Sequence, residues 1–448
     1  MTFNPHTDED RKTMLAATKS AIIDDLFEAI PSDVRFPELD LPRRLSEQEA
    51  FRRLTSLAAE NMDGIANPSF LGAGSYTHYV PAAVQQITFR GEFYTAYTPY
   101  QPEVAQGTLQ AIYEYQSMIS ALTGMEVANA SLYDGATALA EGALLTVSLR
   151  TGRKRVVVAG TVHPNYVKVL RTYTEGVGVE VVELPVPADG FKTDPAAFDE
   201  YLNDELACLI VGYPNFYGTI EDIAAIGEKA HSAGAKLVVS AYPIALGMLK
   251  PPGELGADVV TGEGQSLGVS QSFGGPVVGL LATKTENVRQ VPGRLVGMTT
   301  DTEGKRGFVL ALQTREQHIR REKATSNICT NQGLMALAAT VYMATLGPSG
   351  LRQVAEICYQ NAHYLAKELE ATGKFTVENS GHFFNEFTVR CDEAPSALNK
   401  RLQAAGVIGG YDLSDVSANL DGRMLICATE MTGKDAIDRF VAVAKRSD

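Results

Sequence analysis

Residues 206–243 read LACLIVGYPNFYGTIEDIAAIGEKAHSAGAKLVVSAYP and carry the clearest fold signal in the chain. Two apolar runs rich in β-branched residues, 209–211 and 237–239, enclose a segment that can form a helix. Apolar runs without polar alternation are typical of strands buried on both faces, and a helix between two of them connects parallel neighbours. The stretch therefore predicts part of a parallel sheet covered by helices.

Similar runs continue the pattern on both sides of this stretch. They occur at residues 156–158, 179–184 and 259–260. Residues 274–281 form one more apolar run, which begins with a glycine pair and is predicted to be a strand. Strands that alternate with helices in this way indicate an α/β domain whose sheet is mainly parallel.

The flanking regions predict smaller parts of the molecule. Residues 1–63 are charged and helical, which indicates an N-terminal helical arm, and residues 64–325 form the large α/β domain. A long helix after Asn327 is expected to end at Gly347-Pro348, because this pair is a common helix stop. Residues 326–448 are thus expected to hold a linking helix and a small C-terminal α+β domain.

Composition excludes several classes of protein. The 448 residues carry a net charge of −14, which disfavours nucleic acid as a partner. The five cysteines are far apart and form no CxxC pair, so neither a disulfide framework nor a metal site is expected. No export signal or membrane span is evident, and we expect a soluble, cytoplasmic protein.

Three long segments resemble the P-protein family of glycine decarboxylases. They are YTPYQPEVAQGTLQAIYEYQSMISALTGMEVANASLYDGATALAEGALL at residues 97–145, ADVVTGEGQSLGVSQSFGGP at 257–276 and REKATSNICTNQGL at 321–334. The resemblance covers roughly residues 60–430. It implies fold type I of the pyridoxal phosphate (PLP) enzymes, which is aspartate aminotransferase-like, with a mostly parallel seven-stranded sheet in the large domain.

The resemblance also implies an activity. P-proteins decarboxylate glycine with the help of PLP, and the aminomethyl group passes to the lipoyl group of the carrier H-protein. Such a cofactor site needs a lysine for the Schiff base, a carboxylate for the pyridine nitrogen and a helix N-terminus for the phosphate.

The residues that the resemblance places in this site depart from those needs. Gln265 replaces the lysine, and an amide nitrogen cannot form an imine. Ala241 lies near the end of a run, residues 236–242, that contains no acid to face the pyridine nitrogen. Asp134 is a good helix cap that would repel a phosphate, and His163 is expected to cap a helix or pack rather than to cover a cofactor ring.

The resemblance also implies a reason for these departures, because P-proteins work as pairs of related halves. P-proteins consist of a catalytic and a degenerate half, and a separate chain of the degenerate kind corresponds to the alpha-type half. The resemblance therefore implies a subunit that is inactive alone and binds no PLP. Its partner in a heterotetramer would be the PLP-bearing, beta-type P-protein subunit 2, with glycine as the substrate and the H-protein as acceptor.

Two alternatives remain open. The chain could be an autonomous PLP-dependent lyase or aminotransferase that uses Lys236, Lys250 or Lys284, or it could be a non-catalytic scaffold that forms a homodimer. Polar residues in loop-like segments are candidates for the partner interface or the substrate entrance, although packing and turn formation explain several of them equally well. They are Tyr97, Tyr100, Gln101, Asn215, Ser326, Asn327 and Thr330.

Overall fold

A computed structural model describes residues 5–64, 66–150 and 152–446 of the chain. The chain divides into two units, residues 1–61 and residues 62–448. The boundary predicted between residues 325 and 326 lies inside the second unit and stays a prediction.

Within its described residues, 5–61, the first unit contains two α-helices, α1 (Asp8–Ala17) and α2 (Glu47–Ala58). Each begins with a capping box, in which Thr7 pairs with Asp10 and Ser46 pairs with Glu49. None of residues 5–61 is buried, and large apolar side chains are exposed along this unit.

The second unit contains the remaining helices and all strands of the described residues. Its helices are α3 (Ala82–Thr88), α4 (Gly91–Tyr94), α5 (Gln106–Thr123), α6 (Gly135–Leu149), α7 (Pro164–Glu175), α8 (Ile223–Ser232), α9 (Gln317–Arg320), α10 (Gly333–Glu370), α11 (Pro395–Ala404) and α12 (Lys434–Ala444). Its strands are β1 (Val127–Ala128), β2 (Arg155–Val158), β3 (Glu180–Glu183), β4 (Leu206–Tyr213), β5 (Lys236–Ala241), β6 (Val259–Glu263), β7 (Gly279–Thr283), β8 (Leu295–Thr300), β9 (Arg306–Ala311), β10 (Phe375–Val377), β11 (Glu386–Cys391), β12 (Tyr411–Asp412) and β13 (Arg423–Cys427).

A seven-stranded sheet has the order β1-β7-β6-β5-β4-β2-β3. Strands β3, β2, β4, β5 and β6 are parallel to one another, and β7 runs antiparallel between β6 and β1. The mainly parallel sheet predicted from the apolar runs is confirmed. Every residue of β4 is buried, as expected for a strand covered by helices on both faces.

The strand predicted at residues 274–281 was placed too early. Strand β7 begins at Gly279, and the preceding residues form a loop. Gly274 and Gly275 have φ values of 109° and 136°, which lie outside the range of a regular strand. The glycine pair therefore makes a turn ahead of the strand and not its first residues.

A second, antiparallel sheet has the order β10-β11-β13-β12 and packs with α11 and α12 around its own core. Buried side chains of this core include Phe387, Leu398, Ile426 and Phe440. Strands β8 and β9 form a separate two-stranded sheet.

Helix α10 links the two cores and is interrupted in its middle. Gly347 has φ 61° and ψ −179°, and Pro348 starts the second half. The helix stop predicted at this pair is confirmed as a break between two helical halves. By length and composition α10 could cross a membrane, but core helices of soluble proteins meet the same criterion. Its buried residues, such as Tyr342 and Cys358, pack in the main core.

The five cysteines are free thiols in this structure. Cys208, Cys358, Cys391 and Cys427 are buried, whereas Cys329 is exposed.

Candidate functional site

A narrow cleft lies at the carboxyl ends of β4, β5 and β6, which is where ligands bind in open α/β sheets. Residues around Tyr76 close one side, and the start of α7 closes another. Its volume is about 60 Å³, well below the about 300 to 1,000 Å³ of a typical ligand pocket.

Gln265 lies in the wall of this cleft and is engaged by the surrounding backbone. Its Oε1 accepts from the Tyr76 N–H at 3.0 Å, and its Nε2 donates to the Tyr76 carbonyl at 3.1 Å and the Val269 carbonyl at 2.8 Å. A side chain that both accepts and donates is required for this pairing. Gln265 thus fastens the loop around Tyr76 to the end of β6.

A carboxylate occupies the N-terminus of α6, and it belongs to Glu263. Its Oε2 accepts from the Gly135 N–H at 2.9 Å, while its Oε1 accepts from the N–H groups of Gln265 at 2.9 Å and Val278 at 3.3 Å. Burial raises the pKa of Glu263 to about 7. Nothing in the sequence analysis identified this residue.

Asp134 caps the same helix from its other side. Its Oδ1 accepts from the Thr137 N–H at 2.7 Å, and Thr137 Oγ1 accepts from the Asp134 N–H at 3.1 Å. The N-terminus of α6 therefore faces two carboxylates of this chain, where the resemblance would place a phosphate.

Ala241 and His163 also line the cleft. Ala241 ends β5 and is buried, so no carboxylate projects from this position. His163 caps α7: its Nδ1 accepts from the Asn165 N–H at 3.2 Å, its Nε2 donates to the Ala73 carbonyl at 3.0 Å, and its ring stacks on Tyr166. Burial lowers the pKa of His163 to about 4, which keeps the ring neutral at neutral pH.

Tyrosines and acids behind the cleft form two further groups that sequence reasoning missed. Tyr76 donates its hydroxyl to Glu386 at 2.8 Å, and burial raises the pKa of Glu386 to about 7. His78 shares hydrogen bonds with Tyr242 and with Glu430, the latter at 2.7 Å. The available signal is the tyrosine content of residues 64–102, a segment that includes Tyr76 and His78.

His78, Cys358 and Glu430 offer metal-binding atoms within 4.8 Å of one another. Glu430 already forms a hydrogen bond with each of the other two side chains. It lies 2.7 Å from His78 Nδ1 and accepts from the Cys358 thiol at 3.3 Å. Burial raises the pKa of the Cys358 thiol, which opposes the thiolate form that a metal requires. Hydrogen bonding therefore accounts for the proximity of the three groups without a metal.

The residues of the cleft do not fit PLP. Among the described residues that line it, none carries an amine, and Ser266, next to Gln265, cannot form an imine either. Lys236 and Lys284 bind Asp258, each at 3.0 Å, at the amino ends of β5 and β6, opposite to the cleft. Lys250 lines a separate surface depression.

A larger cavity, of about 230 Å³, lies elsewhere in this unit and brings together two of the residues selected from the sequence. Tyr97 and Thr330 are exposed and line it together with the buried Arg294. The neighbouring Tyr100 hydroxyl accepts from Arg294 Nη2 at 3.2 Å. Gln101 and Asn327 are exposed outside the lining of this cavity.

The two remaining candidates already have partners within the chain. Asn215 lines the narrow cleft, but its amide donates to the Phe191 carbonyl and to Glu221, each at 2.7 Å. Its Oδ1 accepts from the N–H groups of Tyr217 and Thr219, so the residue holds a turn. Ser326 donates its hydroxyl to the buried Glu141 at 2.6 Å.

Sequence comparisons give consistent matches over almost the whole chain. Residues 1–444 match the family described as "Glycine cleavage system P-protein". A "Probable glycine dehydrogenase (decarboxylating) subunit 1" from Thermomicrobium roseum is 61% identical over 447 residues, with 100% of both chains covered. A relative of the same description from Geobacillus kaustophilus is 50% identical over 440 residues, covering 98% of this chain and 97% of the relative.

Solved structures extend the likeness to three dimensions. A crystal structure of glycine decarboxylase (P-protein) of the glycine cleavage system, in inhibitor-bound form, superposes with a TM-score of 0.90 at 44% identity and 99% coverage of both chains. Glutamate decarboxylase of Lactobacillus brevis has a TM-score of 0.69 at 15% identity, covering 91% of this chain and 93% of that one. The second likeness concerns the fold alone, and together they show the fold type I architecture.

Proposed function

The chain belongs to the glycine cleavage system P-protein family, and from this membership we propose that it acts as the subunit that binds no PLP and pairs with a PLP-bearing partner. It is a subunit of glycine dehydrogenase (decarboxylating). In the proposed complex, P-protein subunit 2 holds the cofactor, glycine loses carbon dioxide, and the aminomethyl group passes to the lipoyl group of the H-protein.

The proposal rests on the side chains that line the narrow cleft. A Schiff base needs a primary amine, and Gln265 and Ser266 offer an amide and a hydroxyl at this position. The carboxylate of Glu263 also stands at the helix N-terminus that a phosphate would need. Both features support a structural role for this chain in the complex.

Other features support pairing with a second chain. Leu39, Leu41 and Phe51 are among the large apolar side chains exposed in residues 5–61, and such surfaces commonly mark protein contacts. Tyr97 and Thr330, which line the larger cavity, are the residues that we propose at the substrate entrance or at the contact with the partner.

The autonomous-enzyme alternative requires a lysine near the cleft. Lys236 and Lys284 are instead bound to Asp258 at the amino ends of β5 and β6, and Lys250 lies in another depression. This alternative therefore receives no support from the geometry.

The test mixes the purified chain with PLP, in the presence and absence of the PLP-bearing partner subunit. We expect the visible absorption of lysine-bound PLP and glycine-dependent exchange of carbon dioxide only when the partner is present. Borohydride reduction should then attach PLP to the partner alone.

Two other outcomes would replace the proposal. A reduced PLP adduct on a lysine of this chain would establish the autonomous enzyme. A stably folded chain that pairs only with itself and never with the partner would establish the scaffold homodimer.

A further inference from the structure

Three backbone N–H groups from separate segments converge on one side chain in the narrow cleft. Gly135 opens the 15-residue helix α6, Gln265 follows β6, and Val278 precedes β7, and all three donate to Glu263. Backbone N–H groups at a helix N-terminus, next to the carboxyl ends of parallel strands, form the usual setting for a bound phosphate.

The environment of this carboxylate is that of a bound anion. None of the described Lys or Arg side chains forms an ion pair with Glu263, so the N–H groups and the α6 dipole are its partners. The Asp134 carboxylate at the same helix end opposes the charge of Glu263, but it accepts from the Thr137 N–H and leaves these three donors to Glu263. A Cβ at Gly135 would lie 2.8 Å from the Glu263 Cβ and 2.6 Å from the Tyr166 hydroxyl, so only glycine permits this close approach.

A fourth donor in the cleft lacks an acceptor. Ser266 is 2% exposed and lines the cleft, and its hydroxyl has no hydrogen-bond partner among the described residues. A buried hydroxyl without a partner is uncommon in native proteins and indicates a place where a ligand oxygen could be accommodated.

We infer that Glu263 serves as a built-in anion in a latent phosphate site, and that shortening this side chain uncovers a site for inorganic phosphate. In the native chain the carboxylate satisfies the donors of the site and repels any second anion. The inference deepens the proposed function, because it gives a physical reason why this chain takes up no phosphorylated cofactor. Its test uses this chain alone, so the result does not depend on pairing with a partner.

The experiment compares the full-length native chain with Glu263→Ala. The midpoint of thermal unfolding is measured at about pH 8.5, above the raised pKa of Glu263, so that this side chain is charged in the native chain. The two salts compared are inorganic phosphate and sodium chloride at equal ionic strength. Phosphate stabilises most proteins somewhat by exclusion from their surface, and the native chain supplies that baseline. We expect the midpoint of Glu263→Ala to rise by about 3 °C beyond the baseline, since a bound ion stabilises only the folded state.

Glu386→Ala is the matched control. Glu386 is also a buried carboxylate beside the cleft and accepts from the Ala73 N–H and the Tyr76 hydroxyl, but no helix begins there. We expect this variant to lose stability and to gain no more from phosphate than the native chain. Equal phosphate gains for both alanine variants would overturn the inference.

Glu263→Gln covers the case in which the alanine variant fails to fold. The amide keeps the volume of the side chain but turns a donor toward at least one of the three N–H groups. We expect a lower unfolding midpoint than that of the native chain, without an added gain from phosphate. A midpoint equal to that of the native chain would show that the carboxylate charge is not needed there, and the inference would fail.

Discussion

At the scale of single residues, hydrogen bonds from Gln265 and Glu263 to the backbone of distant segments hold the cleft together. Gln265 could be identified as a non-reactive residue, because the absence of an amine is visible in the sequence itself. Its contact with Tyr76, 189 residues away in the chain, could not be predicted. Glu263 escaped notice for the same reason, because it meets Gly135 only after the sheet has formed.

Gln265 is expected to contribute to stability through its hydrogen bonds. Gln265→Ala removes three of them from a buried position, and at about 1 kcal/mol each the loss should be about 2 to 3 kcal/mol. Urea unfolding of the native and variant chains measures this difference. Gln271→Ala is the control, since its side chain joins Ser75 and Thr77 in a more exposed place and should cost less than about 1 kcal/mol.

Glu386 predicts a pH dependence of stability. Burial raises its pKa from 4.5 to about 7, so the folded state binds this proton more tightly than the unfolded state does. The contribution of Glu386 is therefore most favourable below about pH 4.5 and is lost as the pH rises through about 7.

Glu386→Gln stays neutral throughout and should remove this dependence. Between about pH 5 and about pH 8, the native chain should lose up to about 3 kcal/mol of unfolding free energy relative to the variant. Urea unfolding across this range measures the difference. Parallel pH profiles of the two proteins would contradict the prediction.

At the scale of helices and strands, the apolar runs located the parallel strands because most residues of β2, β4, β5 and β6 are buried. Strand β3, at the edge of the sheet, is only half-buried or exposed. The strands of the second sheet were not located one by one. Several are short, and β12 and β10 have exposed or half-buried residues, so the sequence signal is weak. The start of β7 was misplaced because the sequence does not reveal the positive φ angles of Gly274 and Gly275.

The break in α10 depends on Gly347. Its φ of 61° and ψ of −179° lie in a region that only glycine adopts readily, while a Cβ there would meet no atom within 4 Å. Gly347→Ala should therefore cost about 1 to 3 kcal/mol through backbone strain alone. Chemical denaturation measures the loss, and Gly333→Ala, at a helical position without positive φ, should change stability by less than about 1 kcal/mol.

At the scale of the whole molecule, the two units differ in the number of buried residues. The second unit contains two large hydrophobic cores. None of residues 5–61 is buried, so removal of residues 1–61 should leave the unfolding midpoint of the remaining chain within about 2 °C of the native value. Calorimetry of the truncated chain tests this expectation.

Phe70 supplies the contrasting case. Phe70 is fully buried in the core around the second sheet, and its ring centroid lies 4.6 Å from that of Phe440. Phe70→Ala should cost about 3 to 5 kcal/mol because it leaves a cavity. A truncation that destabilised the protein as much as this substitution would show that residues 1–61 support the fold.

The distribution of the five thiols makes the chain suitable for selective chemical labelling. Burial raises the pKa of Cys208 and Cys391 to about 12, and the pKa values of Cys358 and Cys427 are raised as well, so these four rarely form the reactive thiolate. Exposed Cys329 should then take up one maleimide dye per native chain. Cys329 lies between Asn327 and Thr330, so a change in the fluorescence of the attached dye would show when another protein covers this segment.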